Sequence, residues 1–292
     1  MKNKEVLLPN NETIHYFEQG DSKDTLLLIH GNTSSAIFFE PLFEKLPNGL
    51  RVIAPDLRGF GNSTYNNNIE TLTDFSDDLK MFLDVLGINH VHIVGWSLGG
   101  NIAMEFSSNY PNMVNSLVLL SSGSPKGYPV FVKNEKGQPD FPNIYKSKSE
   151  MALDPVQVLP LLNIYKEKNA QMLAYIYDVT IYTGKKPNKD KNLLWMQEAI
   201  KQRNLVDVDW ALANFNITNQ NSLYSMGNNK ISKLKAKTLI IWGNKDLTVP
   251  KIMFDETVSL FPEAEVIIYE NCGHSIVVDD PERLAIDILH FI

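Results

Sequence analysis

Short runs of apolar residues alternate along most of the chain with segments in which apolar residues recur every three or four positions. Residues 25–31 form an apolar run that ends in glycine, which is typical of a strand buried on both faces. Residues 70–87 instead carry an apolar stripe at helical spacing. By these two patterns, strands are predicted at 25–31, 51–56, 90–96, 114–120, 237–243 and 265–270, and helices at 36–46, 70–87, 98–110, 250–261 and from 281. This alternation predicts an α/β fold, a mostly parallel central sheet with helices on both faces.

Two regions depart from the strand–helix alternation. Residues 5–19 alternate apolar and polar positions across Asn10 and Asn11, which predicts a β-hairpin at the start of the chain. Residues 125–232 contain helical patterns and many aromatic residues but no clear buried strand. We therefore expect a core domain formed by residues 1–124 and 233–292, with residues 125–232 inserted as a helical cap over the carboxyl ends of the strands.

Composition and charge exclude several classes of protein. The net charge of −7 argues against a nucleic-acid partner or an anionic membrane surface. No apolar run is long enough to span a bilayer, and the first residues lack the apolar core of a signal peptide. Cys272 is the single cysteine, so an intramolecular disulfide is impossible. These features predict a cytoplasmic protein without a membrane partner.

The candidate chemistry centres on the sequence Gly95-Trp96-Ser97-Leu98-Gly99. A Gly-X-Ser-X-Gly pattern alone is common, but here an apolar β-branched run precedes it and a helix rich in small residues follows it. A serine at such a sharp strand-to-helix turn is held with its hydroxyl above the edge of the sheet. The pattern predicts a nucleophile elbow with Ser97 as the nucleophile.

An activated serine needs a base, and the base needs a carboxylate that orients it. Only His274 and His290 lie downstream of Ser97. His274 follows the strand at 265–270, whereas His290 lies in the last helical turn and is interpreted as a packing residue. Asp246 follows the strand at 237–243, and the loop after the preceding core strand offers no carboxylate. The expected triad is Ser97, His274 and Asp246.

Acyl transfer also develops an oxyanion, which two backbone N–H groups should face. The geometry of the elbow predicts that one of them belongs to Leu98, the residue after the nucleophile.

The chain resembles the α/β-hydrolase superfamily, in particular small bacterial hydrolases with a helical cap. The matching pieces occur in the family's order and span nearly the whole chain. They are residues 30–34 (HGNTS), 55–63 (PDLRGFGNS), 95–100 (GWSLGG), 243–246 (GNKD) and 273–275 (GHS).

The resemblance implies that Asn32, the residue after His-Gly, supplies the second oxyanion N–H. The HGN sequence is also similar to that of haloalkane dehalogenases, which have an aspartate nucleophile. Because this chain has Ser97 at that position, dehalogenation and epoxide hydrolysis are not expected. Arg58, in the 55–63 segment, is interpreted as a structural residue.

The function expected from these residues is serine hydrolysis of a carboxylic ester or lactone. The same triad could also perform other reactions, namely C–C bond hydrolysis, aminopeptidase action, synthase-type elimination or perhydrolysis. A ligand-binding receptor on this fold is a further alternative.

Trp96 is expected to line the substrate pocket. No cofactor or metal is expected, since the sequence has neither a phosphate-binding loop nor a cluster of metal ligands. A small-molecule substrate is predicted, and both a monomer and a homodimer fit the sequence.

Overall fold

A mixed eight-stranded sheet forms the centre of the computed structural model, which describes residues 1–292. Its strands are β1 (Lys2–Leu7), β2 (Thr13–Gln19), β3 (Thr25–Ile29), β4 (Arg51–Pro55), β5 (Val91–Trp96), β6 (Val114–Leu120), β9 (Lys237–Gly243) and β10 (Glu265–Tyr269). Their order across the sheet is β1-β2-β4-β3-β5-β6-β9-β10. Within this sheet, only the pairs β1–β2 and β2–β4 are antiparallel, and every other pair is parallel. The predicted hairpin, parallel sheet and strand positions are therefore confirmed.

Eleven helices accompany the sheet. They are α1 (Glu40–Phe43), α2 (Leu72–Val85), α3 (Leu98–Asn109), α4 (Lys148–Met151), α5 (Leu159–Lys166), α6 (Ala170–Thr180), α7 (Lys189–Ala199), α8 (Leu205–Asn214), α9 (Lys251–Leu260), α10 (Ile276–Asp279) and α11 (Pro281–Phe291). The helix expected at 36–46 is shorter than predicted, because a 3₁₀ turn at Ala36–Phe39 precedes α1.

Apolar cores lie on both faces of the sheet, because successive residues of a strand point to opposite sides. In β6, Leu117 and Leu119 join the core that contains α2 and α3, whereas Val118 and Leu120 join the core that contains α11. All four side chains are fully buried. This arrangement explains why the central strands are continuous apolar runs in the sequence.

The parallel strands bring the ends of β3, β5, β9 and β10 to one edge of the sheet. In open α/β sheets, ligands bind beyond the carboxyl ends of the strands. The loops that hold Asn32, Ser97, Asp246 and His274 each follow one of these strands.

Residues 125–232, called the middle segment below, lie in the chain between β6 and β9, which are neighbours in the sheet. Five helices, α4 to α8, lie within it. It also contains an antiparallel hairpin of β7 (Phe131–Lys133) and β8 (Pro139–Ile144), which the helical patterns of the sequence did not indicate. The β8 sequence has two prolines and is largely exposed, so it lacks the apolar pattern that marks a buried strand.

No helix combines the length and the apolar character that crossing a bilayer requires.

Candidate active site

Ser97 occupies a strained turn between β5 and α3. Its backbone has φ 56° and ψ −122°, which is unusual for a residue with a side chain. The neighbouring glycines make the turn possible. A Cβ at Gly95 would lie 2.4 Å from the carbonyl oxygen of Gly99, and a Cβ at Gly99 would lie 2.1 Å from that of Ile29. The turn leaves Ser97 half-buried at the end of a buried strand.

His274 and Asp246 form a buried pair. Nδ1 of His274 lies 2.8 Å from Oδ2 of Asp246, and the two residues are 2% and 6% exposed. The other carboxylate oxygen of Asp246 accepts hydrogen bonds of 2.8 Å from the backbone N–H groups of Thr248 and Val249. These contacts fix the carboxylate, which in turn fixes the ring of His274.

Ser97 and His274 line one cavity of about 400 Å³ beyond the sheet edge. Their side chains are not hydrogen-bonded to each other, and in ligand-free sites such contacts commonly tighten only when substrate binds. Trp96 also lines the cavity, and its Nε1–H donates a 2.8 Å hydrogen bond to the backbone carbonyl of His274. The indole therefore links the elbow to the loop that carries the histidine.

Two backbone N–H groups beside Ser97 have no acceptor within the protein. One belongs to Leu98, at the first turn of α3, and the other to Asn32, in the loop after β3. Asn32 lines the cavity, whereas the side chain of Leu98 is buried in the core. Unpartnered N–H groups at such a position are suited to stabilise a developing oxyanion.

Three side chains of the middle segment hold the loop of Asn32 and Thr33. The hydroxyl of Tyr177 donates to the backbone carbonyl of Thr33 at 2.7 Å. Gln202 donates from Nε2 to Oδ1 of Asn32 at 2.8 Å and accepts from the N–H of Thr33 at 3.1 Å. Asp209 accepts from Nδ2 of Asn32 at 2.7 Å. No local sequence pattern indicates these contacts, because each joins residues more than 140 positions apart.

The wall of the cavity is mainly apolar and contains no lysine or arginine. Asp209 is the acidic residue in this wall. Burial raises the pKa of Asp209 to about 7, although the hydrogen bond from Asn32 opposes this shift, and the negative charge of Asp154 adds to it. The apolar part of the wall is formed chiefly by Val130, Leu161, Leu173, Ile176, Leu212 and Leu247.

His290 and Cys272 do not line the cavity. His290 is exposed on α11, so the interpretation of it as a packing residue is wrong. Cys272 is buried, and burial raises the pKa of its thiol to about 11, which keeps it protonated at neutral pH. The structure contains no group of three or more His, Cys, Asp or Glu side chains arranged to hold a metal ion.

A family model described as the alpha/beta hydrolase fold matches residues 24–281. The chain belongs to the α/β-hydrolase family. The model covers the strands and loops that carry Asn32, Ser97, Asp246 and His274.

Two curated relatives and one solved structure illustrate the range of this family. A 2-hydroxy-6-oxononadienedioate/2-hydroxy-6-oxononatrienedioate hydrolase of Paraburkholderia phymatum is 26% identical, over 96% of this chain and 90% of that protein. Monoacylglycerol lipase ABHD6 of Homo sapiens is 27% identical, over 92% of this chain and 75% of that protein. The crystal structure of a bromoperoxidase from Bacillus anthracis has a TM-score of 0.75 and 20% identity, over 99% of both chains. The likeness to the bromoperoxidase shows the fold, and the named relatives are hydrolases, so the protein is an α/β-hydrolase enzyme.

Proposed function

We propose that this α/β-hydrolase cleaves a carboxylic ester or lactone through an acyl-enzyme formed on Ser97. The observation that carries the proposal is the buried His274–Asp246 pair, which shares a cavity with Ser97. In this proposal the middle segment acts as a cap on a core of residues 1–124 and 233–292. The apolar wall that the middle segment contributes supports this role, since it suits a largely apolar acyl or alcohol group.

In the proposed mechanism, Oγ of Ser97 attacks the ester carbonyl while Nε2 of His274 accepts the hydroxyl proton. Asp246 accepts the hydrogen bond from Nδ1–H of His274 and stabilises the imidazolium that forms. The N–H groups of Asn32 and Leu98 donate to the oxyanion of the tetrahedral intermediate.

Collapse of the intermediate breaks the bond between the acyl carbon and the leaving oxygen, which takes the proton from His274. Water then attacks the acyl-enzyme with His274 as base, which releases the acid and restores Ser97.

C–C bond hydrolysis is the second candidate, because relatives across nearly the full chain are dienedioate hydrolases. A dioate carries two carboxylates, and the cavity offers no cation to neutralise either of them. An anionic substrate would also face the carboxyl of Asp209. Unpaired charges in an apolar site are costly, so the cavity favours a neutral ester over a dioate.

The test combines labelling with turnover. A fluorophosphonate probe should form an adduct on Ser97, located by mass spectrometry, and p-nitrophenyl esters of graded chain length should be hydrolysed. A lactone panel, a vinylogous dioate, N-terminal proline amides and peroxide-dependent halide oxidation cover the other reactions. Ser97→Ala should abolish the adduct and lower turnover by several orders of magnitude. Ser259→Ala, an exposed serine on α9, is the matched control and should leave both unchanged.

An adduct on another residue, or ester turnover that survives Ser97→Ala in a clean preparation, would contradict the proposed nucleophile. Ligand-induced stabilisation without adduct or turnover would instead support the receptor alternative. Turnover of the dioate but not of esters would support C–C bond hydrolysis.

A further inference from the structure

Asp209 is a carboxyl group in the cavity wall that the proposed mechanism does not use. It lies on α8 of the middle segment and lines the same cavity as Ser97 and His274. Its Oδ1 accepts the hydrogen bond from Nδ2 of Asn32 at 2.7 Å. Its Oδ2 has neither a hydrogen bond nor an ion pair within the protein, and it is not among the occluded polar atoms. The second oxygen is therefore available to a molecule in the cavity.

Holding the loop of Asn32 does not require this second oxygen. Gln202 contacts the other end of the same amide with a neutral side chain, and a neutral oxygen at position 209 could also accept from Nδ2. A carboxyl group in an apolar, cation-free wall is instead costly to bury. No lysine or arginine lines the cavity beside it, and the negative charge of Asp154 raises the pKa of Asp209 further. A carboxyl group that is costly to bury and has one oxygen free in the cavity points to a hydrogen-bond donor on the ligand.

The position of Asp209 limits where on the substrate that donor can lie. Asp209 is bonded to the side chain of Asn32, whose backbone N–H is one of the two unpartnered donors beside Ser97. A group that reaches Oδ2 must therefore lie within a few bonds of the carbonyl that Ser97 attacks. The hydrocarbon remainder of the substrate would occupy the apolar wall formed by residues such as Leu173, Ile176 and Leu212.

We propose that Asp209 is a specificity-determining residue that accepts a hydrogen bond from a hydroxyl group on the substrate, close to the scissile carbonyl. The substrate class is accordingly a neutral hydroxylated ester, with the hydroxyl on either the alcohol or the acyl side. This inference rests on the proposed ester hydrolysis and adds the chemical group by which substrates are selected.

Two pairs of esters test the inference, each pair differing by replacement of a hydroxyl with a methyl group. On the alcohol side the pair is 2-hydroxyethyl butyrate and propyl butyrate. On the acyl side it is ethyl 3-hydroxybutyrate and ethyl 3-methylbutyrate. The readout is the ratio of kcat/KM within each pair, measured at pH 8. Both members of a pair use the same nucleophile and oxyanion donors, so the ratio isolates the contribution of the hydroxyl.

The wild-type protein should prefer the hydroxylated member of one pair roughly tenfold or more, as expected for a hydrogen bond to a charged group. The pair that shows the preference identifies the side on which the hydroxyl lies. Asp209→Asn should lower the preference several-fold, because a neutral amide is a weaker partner than a carboxylate. Asp209→Ala should bring the ratio close to one. Asp207→Asn, on the same helix but outside the cavity lining, is the matched control and should keep the wild-type ratio.

Hydrolysis of both pairs with no preference, or with a preference that survives Asp209→Ala, would overturn this inference and leave the proposed ester hydrolysis in place. Failure of the wild-type protein to hydrolyse any of the four esters, or the lactone and p-nitrophenyl substrates, would overturn both.

Discussion

The hydroxyl of Tyr177, on α6, donates a 2.7 Å hydrogen bond to the backbone carbonyl of Thr33. Thr33 has a φ of 55°, a left-handed conformation that costs a β-branched residue about 1–3 kcal/mol. The loop after β3 is therefore held in its shape by the middle segment and not by its own backbone preference. Because Asn32 precedes Thr33, this contact couples the middle segment to a proposed oxyanion donor.

Tyr177→Phe should lower kcat for ester hydrolysis roughly tenfold. The loss of an oxyanion donor typically lowers kcat by about 10²–10³, and a loosened loop should cause part of that loss. Steady-state kinetics with a p-nitrophenyl ester measure the effect. Tyr175→Phe is the control, because Tyr175 is exposed on the same helix. An unchanged kcat for Tyr177→Phe would show that the hydrogen bond does not position the loop for catalysis.

Asp246→Asn should lower kcat by roughly 10³–10⁴-fold without unfolding the protein. Oδ1 of Asp246 accepts hydrogen bonds from two backbone N–H groups. The side-chain amide of the Asp246→Asn variant must therefore keep its oxygen on these groups and direct its NH2 group towards His274. The imidazole would then carry its proton on the wrong nitrogen to act as a base towards Ser97. Asp255→Asn, on the exposed surface of α9, is the matched control. Equal kcat values for the two variants at equal melting temperature would refute the role assigned to Asp246.

The order of strands and helices could be predicted from the sequence, because buried residues recur along the chain at spacings typical of each element. The apolar run at residues 114–120 predicts a strand, and β6 forms at Val114–Leu120, since its residues face apolar cores on both sides. Asp246 and His274 could be named because each lies in a loop directly after such a strand. Their catalytic roles, and that of Ser97, remain predictions.

The polar contacts between the middle segment and the loop of Asn32 could not be predicted in the same way. Asp209, Gln202 and Tyr177 lie in a region whose helices pack through aromatic and small apolar residues. On the sequence, acidic residues of α8 such as Asp207 and Asp209 look alike. Only the fold shows that Asp209 faces Asn32, whereas Asp207 contacts Tyr65 and Lys148.

The free energy of unfolding should depend on pH because Asp209 is buried. Its pKa is about 7 in the folded protein and near 3.8 in an unfolded chain. Between these values the folded state binds the proton that the unfolded state has lost, so stability should fall as pH rises from about 4 to 7 and then level off. Asp209→Asn removes this contribution.

The free energy of unfolding, measured by urea denaturation at intervals between pH 4.5 and 8, should therefore decline less steeply in Asp209→Asn than in the wild-type protein. The variant should gain stability relative to wild type towards pH 8, by on the order of a few kcal/mol at most. Asp207→Asn controls for the loss of a carboxylate on α8. Parallel pH profiles for the wild-type protein and Asp209→Asn would mean that Asp209 is not protonated in the folded state near neutral pH.

Arg58 and Asp78 form a buried ion pair that lies outside the cavity lining. Nε and Nη2 of Arg58 donate to the two carboxylate oxygens of Asp78, each at 2.6 Å, and both residues are at most 5% exposed. Burial raises the pKa of Asp78 even though Arg58 opposes the shift. Arg58 therefore favours the ionised form of Asp78, which burial disfavours.

Arg58→Ala should destabilise the fold by about 3–5 kcal/mol, since it leaves Asp78 as a buried charge without its partner. Arg58→Met combined with Asp78→Leu should recover only part of this loss. The double variant removes the charge of Asp78 and fills similar volume, but it leaves the buried carboxylate of Glu12, 3.9 Å from Nε of Arg58, without its cation. Urea denaturation measures the stability, and kcat per folded molecule should stay close to the wild-type value in both variants. Lys251→Ala, which breaks an exposed pair with Asp255, should change stability by less than about 1 kcal/mol. A double variant no more stable than Arg58→Ala would show that the pair contributes geometry that apolar side chains cannot replace.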